Sequence, residues 1–167
     1  ASGDKVSSRP SQASIDFFGM VFHGYAITHV DSLAHFFWEG KMYNGRPAHL
    51  VSTSLGATVE SIELAKNGIV TRGVLVDAPM IRGTDWIERG DGVMPEDILA
   101  AEERCGFKVE EGDVLLIRTG QLHRRNVEGP VDRSAGTTAC QASVLPLFYE
   151  RGIAMMGSDT GNDVNPP

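Results

Sequence analysis

The chain has little of several features that mark whole classes of protein. It contains only two cysteines, Cys105 and Cys140, which disfavours a disulfide framework and favours free thiols in a cytoplasmic protein. No apolar run reaches the roughly 18 residues that a membrane span needs, and the first residues are not expected to form a signal peptide because they are polar. Lysine and arginine form no long cluster and the net charge is -7, which argues against a nucleic-acid partner.

Familiar catalytic motifs are also missing. The sequence has no glycine-rich phosphate loop and no Gly-x-Ser-x-Gly nucleophile motif. Cys105 falls on the apolar stripe of a predicted helix, and both cysteines are interpreted as structural. What remains is a chain of 167 residues, 41% apolar and 22% charged, which fits one ordinary soluble domain.

The alternation of apolar segments predicts an α/β protein. Residues 1–12 are predicted to be a polar arm, and residues 78–93 and 121–137 to be loops. Strands are predicted over Ile15–Phe22, Ile69–Asp77, Val114–Gly120 and Gly152–Gly157, the third of them central because its apolar run is continuous. Helices are predicted over Thr58–Lys66, from Pro95 to a stop at Gly106, and over 138–150.

One segment concentrates groups that can do chemistry. Three of the five histidines, His23, His29 and His35, fall within thirteen residues, and Asp31 lies between two of them. In an extended stretch alternate side chains share a face, which would align His23, Tyr25, His29 and Asp31. Imidazole with carboxylate suits Zn, Mn, Fe or Ni, so the pattern indicates a metal or acid/base site. The competing interpretation is a set of hydrogen-bonded histidines in the core.

The same segment resembles the signature of the cyclase family, which includes bacterial kynurenine formamidase and isatin hydrolase. The family pattern reads His-x-Gly-Thr-His-x-Asp-x-Pro-x-His, and Thr28, His29, Asp31 and His35 match it. Tyr25 stands where the first histidine belongs; Ile27 and Leu33 replace the glycine and the proline.

Further segments follow the family order. Arg72-Gly73 resembles the start of one family strand, and Gly112-Asp113 resembles the start of another. The segment around Gly157, Asp159 and Thr160 resembles the turn that leads to the active site. His-Gly-Tyr in place of the usual first ligand segment suggests a bacterial branch distinct from kynurenine formamidase.

The resemblance implies a swivelling β/β/α fold: a mixed sheet or barrel-like β core with flanking helices, forming one cyclase-like domain over 1–167. It implies that this domain is incomplete at both ends, so that a missing segment or second chain completes the site, and that the protein is a homo-oligomer. It also implies a divalent metal, Zn or Mn, held by His29 and Asp31, with His35 as catalytic acid/base. His23 is the predicted replacement for the first ligand.

The function that the resemblance implies is hydrolysis of a small amide, lactone or lactam through metal-activated water. Trp38 is expected to form an aromatic wall for the substrate, with Arg118, Asp159 and Thr160 as further substrate-binding residues. Two alternatives stay open: a metal-free cyclase, dehydratase or isomerase that uses His35 and Tyr25, and a non-catalytic binding protein of the same fold.

Overall fold

A computed structural model describes residues 16, 18–20, 22–24, 27–130, 132 and 135–162. Its strands are β1 (Val51–Ser52), β2 (Gly56–Ala57), β3 (Gly73–Asp77), β4 (Gly92–Val93), β5 (Val114–Arg118), β6 (Ala139–Cys140) and β7 (Met155–Ser158). Its α-helices are α1 (Ala78–Arg82), α2 (Pro95–Cys105), α3 (Gln121–Glu128) and α4 (Leu145–Arg151). Short 3-10 helices occur at Tyr43–Gly45, Ala48–Leu50, Ile62–Ala65 and Ala142–Val144.

The largest sheet has three parallel strands in the order β3-β5-β7. Leu75 pairs with Leu116, and Leu116 pairs with Gly157, so these three residues form one row across the sheet. Helices in each connection return the chain to the start of the next strand, as parallel pairing requires. The other described pairs are short: β1 with β2 antiparallel, and β4 with β6 parallel.

One face of this sheet carries the hydrophobic core. Alternate residues of β3 and β5 are buried, and helices α1 and α2 pack against these two strands. The core cluster combines strand and helix residues: Val74, Val76, Leu115, Ile117, Ile98, Ala101, Val144 and Phe148 among others. The central strand predicted over Val114–Gly120 is confirmed as β5, which ends at Arg118 and lies between β3 and β7.

Two motifs that resemble the cyclase family hold the sheet at its ends. The guanidinium of Arg72 donates to both carboxylate oxygens of Asp113, at 2.8 and 2.7 Å, next to the starts of β3 and β5. At the other end, Asp159 accepts hydrogen bonds from the backbone N–H and hydroxyl of Thr119 and from the N–H of Gly120. These contacts fix the register of the strands by charged and polar groups as well as by packing.

Gly120 has a specific reason to be glycine. Its φ is 81°, in the left-handed region, and a Cβ there would lie 2.8 Å from the carbonyl oxygen of Asp85 and 2.9 Å from Cα of Trp86. The turn from β5 into α3 therefore needs a residue without a side chain.

Helix α2 begins and ends where the sequence predicts. Pro95 occupies the first turn, the carboxylate of Asp97 accepts a hydrogen bond from the N–H of Met94, and Gly106 ends the helix with φ 69°. Arg82 of α1 binds both carboxylate oxygens of Asp97, at 2.8 and 2.6 Å. Burial would raise the pKa of Asp97, but the hydrogen bonds from Arg82 and from Met94 lower it overall.

Two of the predicted loops contain helices. Within 78–93, Asp77 caps α1 by accepting from the N–H of Met80, and Pro79 fits the first turn. Within 121–137, α3 is almost wholly polar, and the Arg124–Glu128 ion pair at 2.7 Å supports it. The loop assignments were wrong there: α1 has only five residues and contains Pro79, one of the residues that favoured a loop, and α3 is mainly polar.

Other predicted bounds need correction. Residues 58–66 contain only the 3-10 turn Ile62–Ala65, and 138–150 divides into β6, a 3-10 turn and α4, which has Pro146 in its first turn. The strand predicted over Ile15–Phe22 falls partly outside the described residues, and the described ones there belong to no strand. The polar arm over 1–12 also lies outside the described residues.

The expected α/β class is confirmed as a mixed architecture of helices and small sheets. The barrel-like core stays a prediction. No helix in the described part of the chain combines the length and apolarity that crossing a lipid bilayer requires.

Candidate metal centre

Asp31 lies at the centre of the histidine cluster. Its Oδ1 is 3.3 Å from Nδ1 of His23, and its Oδ2 is 3.6 Å from Nε2 of His29. The Nε2 atom of His35 is 3.9 Å from the same Oδ2. Groups that are up to twelve positions apart in sequence therefore converge on one carboxylate.

The chain reaches this arrangement through a loop and not through the extended strand that the alternation predicts. Gly24 has φ 128°, and residues 27–31 form no strand among the described residues. After Asp31 the chain turns: the N–H of His35 donates to the carbonyl of Ser32 at 3.0 Å, and the hydroxyl of Ser32 accepts from Ala34. This turn brings His35 back towards Asp31, four residues earlier.

The imidazole rings also pack on one another. The rings of His23 and His35 are stacked, with centroids 4.6 Å apart and an interplanar angle of 12°. His29 meets His23 edge-on, with centroids 5.4 Å apart, and Phe22 contacts both of these rings. Sequence reasoning missed Phe22 as a support for the cluster, although it is adjacent to His23.

The tautomer of His29 follows from its hydrogen bond. Its Nδ1 lies 2.8 Å from the carbonyl oxygen of Ile27, and a carbonyl can only accept, so Nδ1 carries the proton. In the neutral ring, Nε2 then has the lone pair that a metal needs, and this atom lies 3.6 Å from Oδ2 of Asp31. A backbone carbonyl in this position is a common second partner of metal-binding histidines, because it fixes both ring orientation and tautomer.

His23, His29 and Asp31 fit a metal ion chemically. Each offers one ligand atom, and these atoms all lie within 4.8 Å of one another. Bonds of about 2.0–2.2 Å to one ion place ligand atoms roughly 3–4 Å apart, so small side-chain movements complete such a site. All three side chains are accessible to solvent, His29 least at 21%.

Tyr25 and Ala26 lie outside the described residues. The predicted role of Tyr25 as a catalytic residue therefore stays a prediction.

An open apolar groove follows His35 along the chain. It has a volume of about 400 Å³ and is lined by Phe36, Phe37, Trp38, Glu39, Lys41, Met42 and Tyr43. Trp38 and Lys41 exchange two backbone hydrogen bonds, and Met42 is buried, so the segment is a fixed turn with exposed aromatic rings. Of these residues, the sequence analysis named only Trp38. The aromatic run Phe36-Phe37-Trp38 directly after His35 was the pattern that could have indicated the rest of the groove.

The other predicted substrate residues lie at the carboxyl ends of β5 and β7. Arg118 forms an ion pair with Asp77 at 2.7 Å, and Asp159 is held by Thr119 and Gly120. Thr160 is buried, with its hydroxyl 3.2 Å from that of Thr137. None of these described contacts links Arg118, Asp159 or Thr160 to the histidine cluster. The substrate-binding roles of these three residues therefore stay predictions.

The fold and this cluster together define an α/β protein with a candidate metal centre. The chain belongs to the cyclase family: the family model described as "Putative cyclase" matches residues 10–162. A solved crystal structure, described as that of a novel cyclase, is 29% identical and superposes with a TM-score of 0.68. The match covers 77% of this chain and 43% of that one, so this chain spans less than half the length of that relative. No curated protein gives a significant match.

Proposed function

We propose that the protein is a metal-dependent hydrolase that acts on a small amide, lactone or lactam. The observation that supports this function is the convergence of His23, His29 and His35 on the carboxylate of Asp31. Membership of the cyclase family agrees with an enzymatic role.

In this proposal His23, His29 and Asp31 hold a divalent ion, Zn or Mn. A divalent ion bound there would polarise the scissile carbonyl and make a nearby water more acidic. The Nδ1–H bond from His29 to the carbonyl of Ile27 keeps the ring oriented with Nε2 towards that ion. The choice of His23 as the first ligand is supported by its 3.3 Å approach to Asp31.

His35 is the proposed acid/base. Imidazole titrates near neutral pH, at about 6.5 in the free side chain, which suits proton transfer in both directions. Its Nε2 would accept a proton from the attacking water and donate it to the leaving nitrogen or oxygen. Stacking on His23 fixes the plane of the ring while leaving the side chain accessible to solvent.

The groove that begins at Phe36 is the proposed binding surface for the rest of the substrate. Phe36 continues directly from His35, and the two rings lie with centroids 5.7 Å apart. Trp38 is the most exposed aromatic side chain in this groove and would pack against the substrate.

The test measures metal and activity together. The protein is stripped with a chelator, repleted with Zn²⁺ or Mn²⁺, and assayed for bound metal and for hydrolysis of small formamides and lactones. We expect activity and metal content to rise together, and His29→Ala to lose both. His123→Ala is the matched control, since His123 contacts Trp86 and is not part of the cluster.

A metal-free enzyme is the second candidate, favoured by the tyrosine at position 25 where the family pattern has its first histidine. In that case His35 and Tyr25 carry the acid/base chemistry of a cyclase, dehydratase or isomerase. Full activity in excess chelator would select this function and reject the hydrolase. Metal binding without turnover of any such substrate would instead select a binding protein.

A further inference from the structure

Phe22 contacts both of the imidazole rings that lie nearest to Asp31. Its ring centroid is 4.4 Å from that of His23, with an interplanar angle of 31°, and 5.5 Å from that of His29, which it meets edge-on at 70°. The two imidazoles also meet each other edge-on, with centroids 5.4 Å apart. Phe22, His23 and His29 therefore form a triangle in which each ring contacts the other two.

The hydrophobic core does not account for the position of Phe22. This residue is not part of the core cluster, and the described residues around it belong to no helix or strand. Phe22 is nevertheless only 37% exposed, whereas Phe18, four residues earlier in the same segment, is 91% exposed. The rings that the structure places against Phe22 are those of His23 and His29.

Each of these imidazoles has one further restraint. Nδ1 of His29 lies 2.8 Å from the carbonyl oxygen of Ile27, and His23 stacks on His35 with centroids 4.6 Å apart. A side chain on an accessible loop otherwise samples several staggered rotamers, and binding must then fix one of them. A ring that Phe22 already holds from another side loses less freedom when it becomes a ligand.

We propose that Phe22 is a positioning residue, which holds Nδ1 of His23 and Nε2 of His29 towards Asp31 before an ion is bound. A phenyl ring suits this place because it has no hydrogen-bonding group that could compete for the imidazole nitrogens. This inference rests on the proposed function, in which His23 and His29 are metal ligands. The orientation of the rings can nevertheless be measured without metal.

The first measurement uses the metal-free chain. NMR correlations between the protons and nitrogens of the imidazole rings report the tautomer of each histidine. Spectra are recorded at about pH 8.5, where free imidazole, with a pKa of about 6.5, is neutral. We expect His29 of the wild type to hold the Nδ1–H form alone and Phe22→Ala to show a mixture of both tautomers. Phe22→Tyr, which keeps the ring, should restore the single form.

The second measurement is titration with Zn²⁺. Phe22→Ala should bind Zn²⁺ about tenfold more weakly, since changes to residues that orient metal ligands cost about 10–100-fold in affinity. Phe22→Tyr should bind like the wild type. Phe18→Ala is the matched control, because Phe18 takes part in none of the ring contacts among the described residues.

Denaturant unfolding of the same variants separates positioning from general destabilisation. Because Phe22 lies outside the core cluster, Phe22→Ala should lose affinity for Zn²⁺ while its unfolding midpoint stays close to that of the wild type. If Phe22→Ala does not fold, Phe22→Leu replaces it, since leucine keeps apolar volume and lacks the ring.

Two results would overturn the inference. A tautomer mixture in the wild type, or a single form that persists in Phe22→Ala, would show that Phe22 does not set the orientation of His29. Equal loss of Zn²⁺ affinity in Phe22→Ala and Phe18→Ala would show that the effect is not specific to the ring contacts. If the wild type binds no Zn²⁺ but only Phe22→Ala mixes its tautomers, the proposed hydrolase is rejected and the positioning role of Phe22 is supported.

Discussion

His23 and His35 stack face to face with ring centroids 4.6 Å apart, and both present a nitrogen to the carboxylate of Asp31. In the proposed function, His23 holds a metal ion while His35, stacked beside it, transfers the proton. The proposal therefore gives the two histidines separable roles, which the following variants distinguish.

Replacing His35 by Gln should remove acid/base catalysis and leave metal binding intact. General acid/base groups contribute roughly 10²–10⁴ in rate, so kcat should fall by about that factor. The check is kcat alongside bound metal per chain. If His35→Gln also loses metal, His35 is a metal ligand. If His35→Gln keeps full activity, His35 has no role in the mechanism.

Replacing His23 by Ala should weaken metal binding and lower activity as a consequence. Changes even in the outer shell of a metal site cost about 10–100-fold in affinity, and loss of a direct ligand should cost at least as much. Titration with Zn²⁺ measures this, with Tyr25→Phe as the comparison. If Tyr25→Phe weakens affinity and His23→Ala does not, the first ligand is the tyrosine.

Replacing Trp38 by Ala should raise KM and change kcat little, because the indole lies in the groove and not in the cluster. An aromatic contact contributes about 0.5–1.5 kcal/mol, which corresponds to a roughly 2- to 12-fold higher KM. Steady-state kinetics on the best amide or lactone substrate provide the measurement. A fall in kcat alone would contradict a binding role.

The Arg72–Asp113 pair should make stability depend on pH in acid. Hydrogen bonds from Arg72 hold the pKa of Asp113 at about 2, with a further contribution from the N–H of Glu110. Because this value is below that of the unfolded chain, near ~3.9, the pair stabilises the fold above about pH 4, and the effect is lost as the pH falls towards 2.

Denaturant unfolding of Asp113→Asn tests this dependence. The variant should be less stable than the wild type at pH 7, and the difference should shrink between pH 4 and 2. Glu103→Gln, an exposed carboxylate on α2, is the control and should show little difference at any pH. A stability difference between Asp113→Asn and the wild type that stays constant down to pH 2 would contradict the low pKa of Asp113.

The two thiols should differ strongly in reactivity. Burial, with a smaller contribution from the charge of Asp97, raises the pKa of Cys140 to about 12, whereas Cys105 is exposed. A thiol reagent at pH 8 should modify Cys105 rapidly and Cys140 only after denaturation. Cys105→Ser should remove the rapid phase, and a rapid phase that survives would show that Cys140 is accessible.

Local signals account for the parts of the fold that were predicted correctly. Proline at the start and glycine at the end mark α2, and a continuous apolar run marks β5. Helix α3 was missed because it is held by ion pairs from Arg124 to Glu128 and Glu88, of which the second is 36 residues away in sequence. Such a helix has no periodic apolar pattern from which it could be predicted.

The sequence by itself determined which groups are available: three histidines and an aspartate within thirteen residues, of which His29, Asp31 and His35 stand in the order of the cyclase pattern. Only the tertiary structure decided how they meet, through a loop and a turn at Ser32 that alternation along a strand could not describe. The physical reason is that side-chain chemistry is encoded residue by residue. Convergence of the rings instead depends on the backbone conformation of the loop, and the burial of one sheet face depends on packing between residues far apart in the chain.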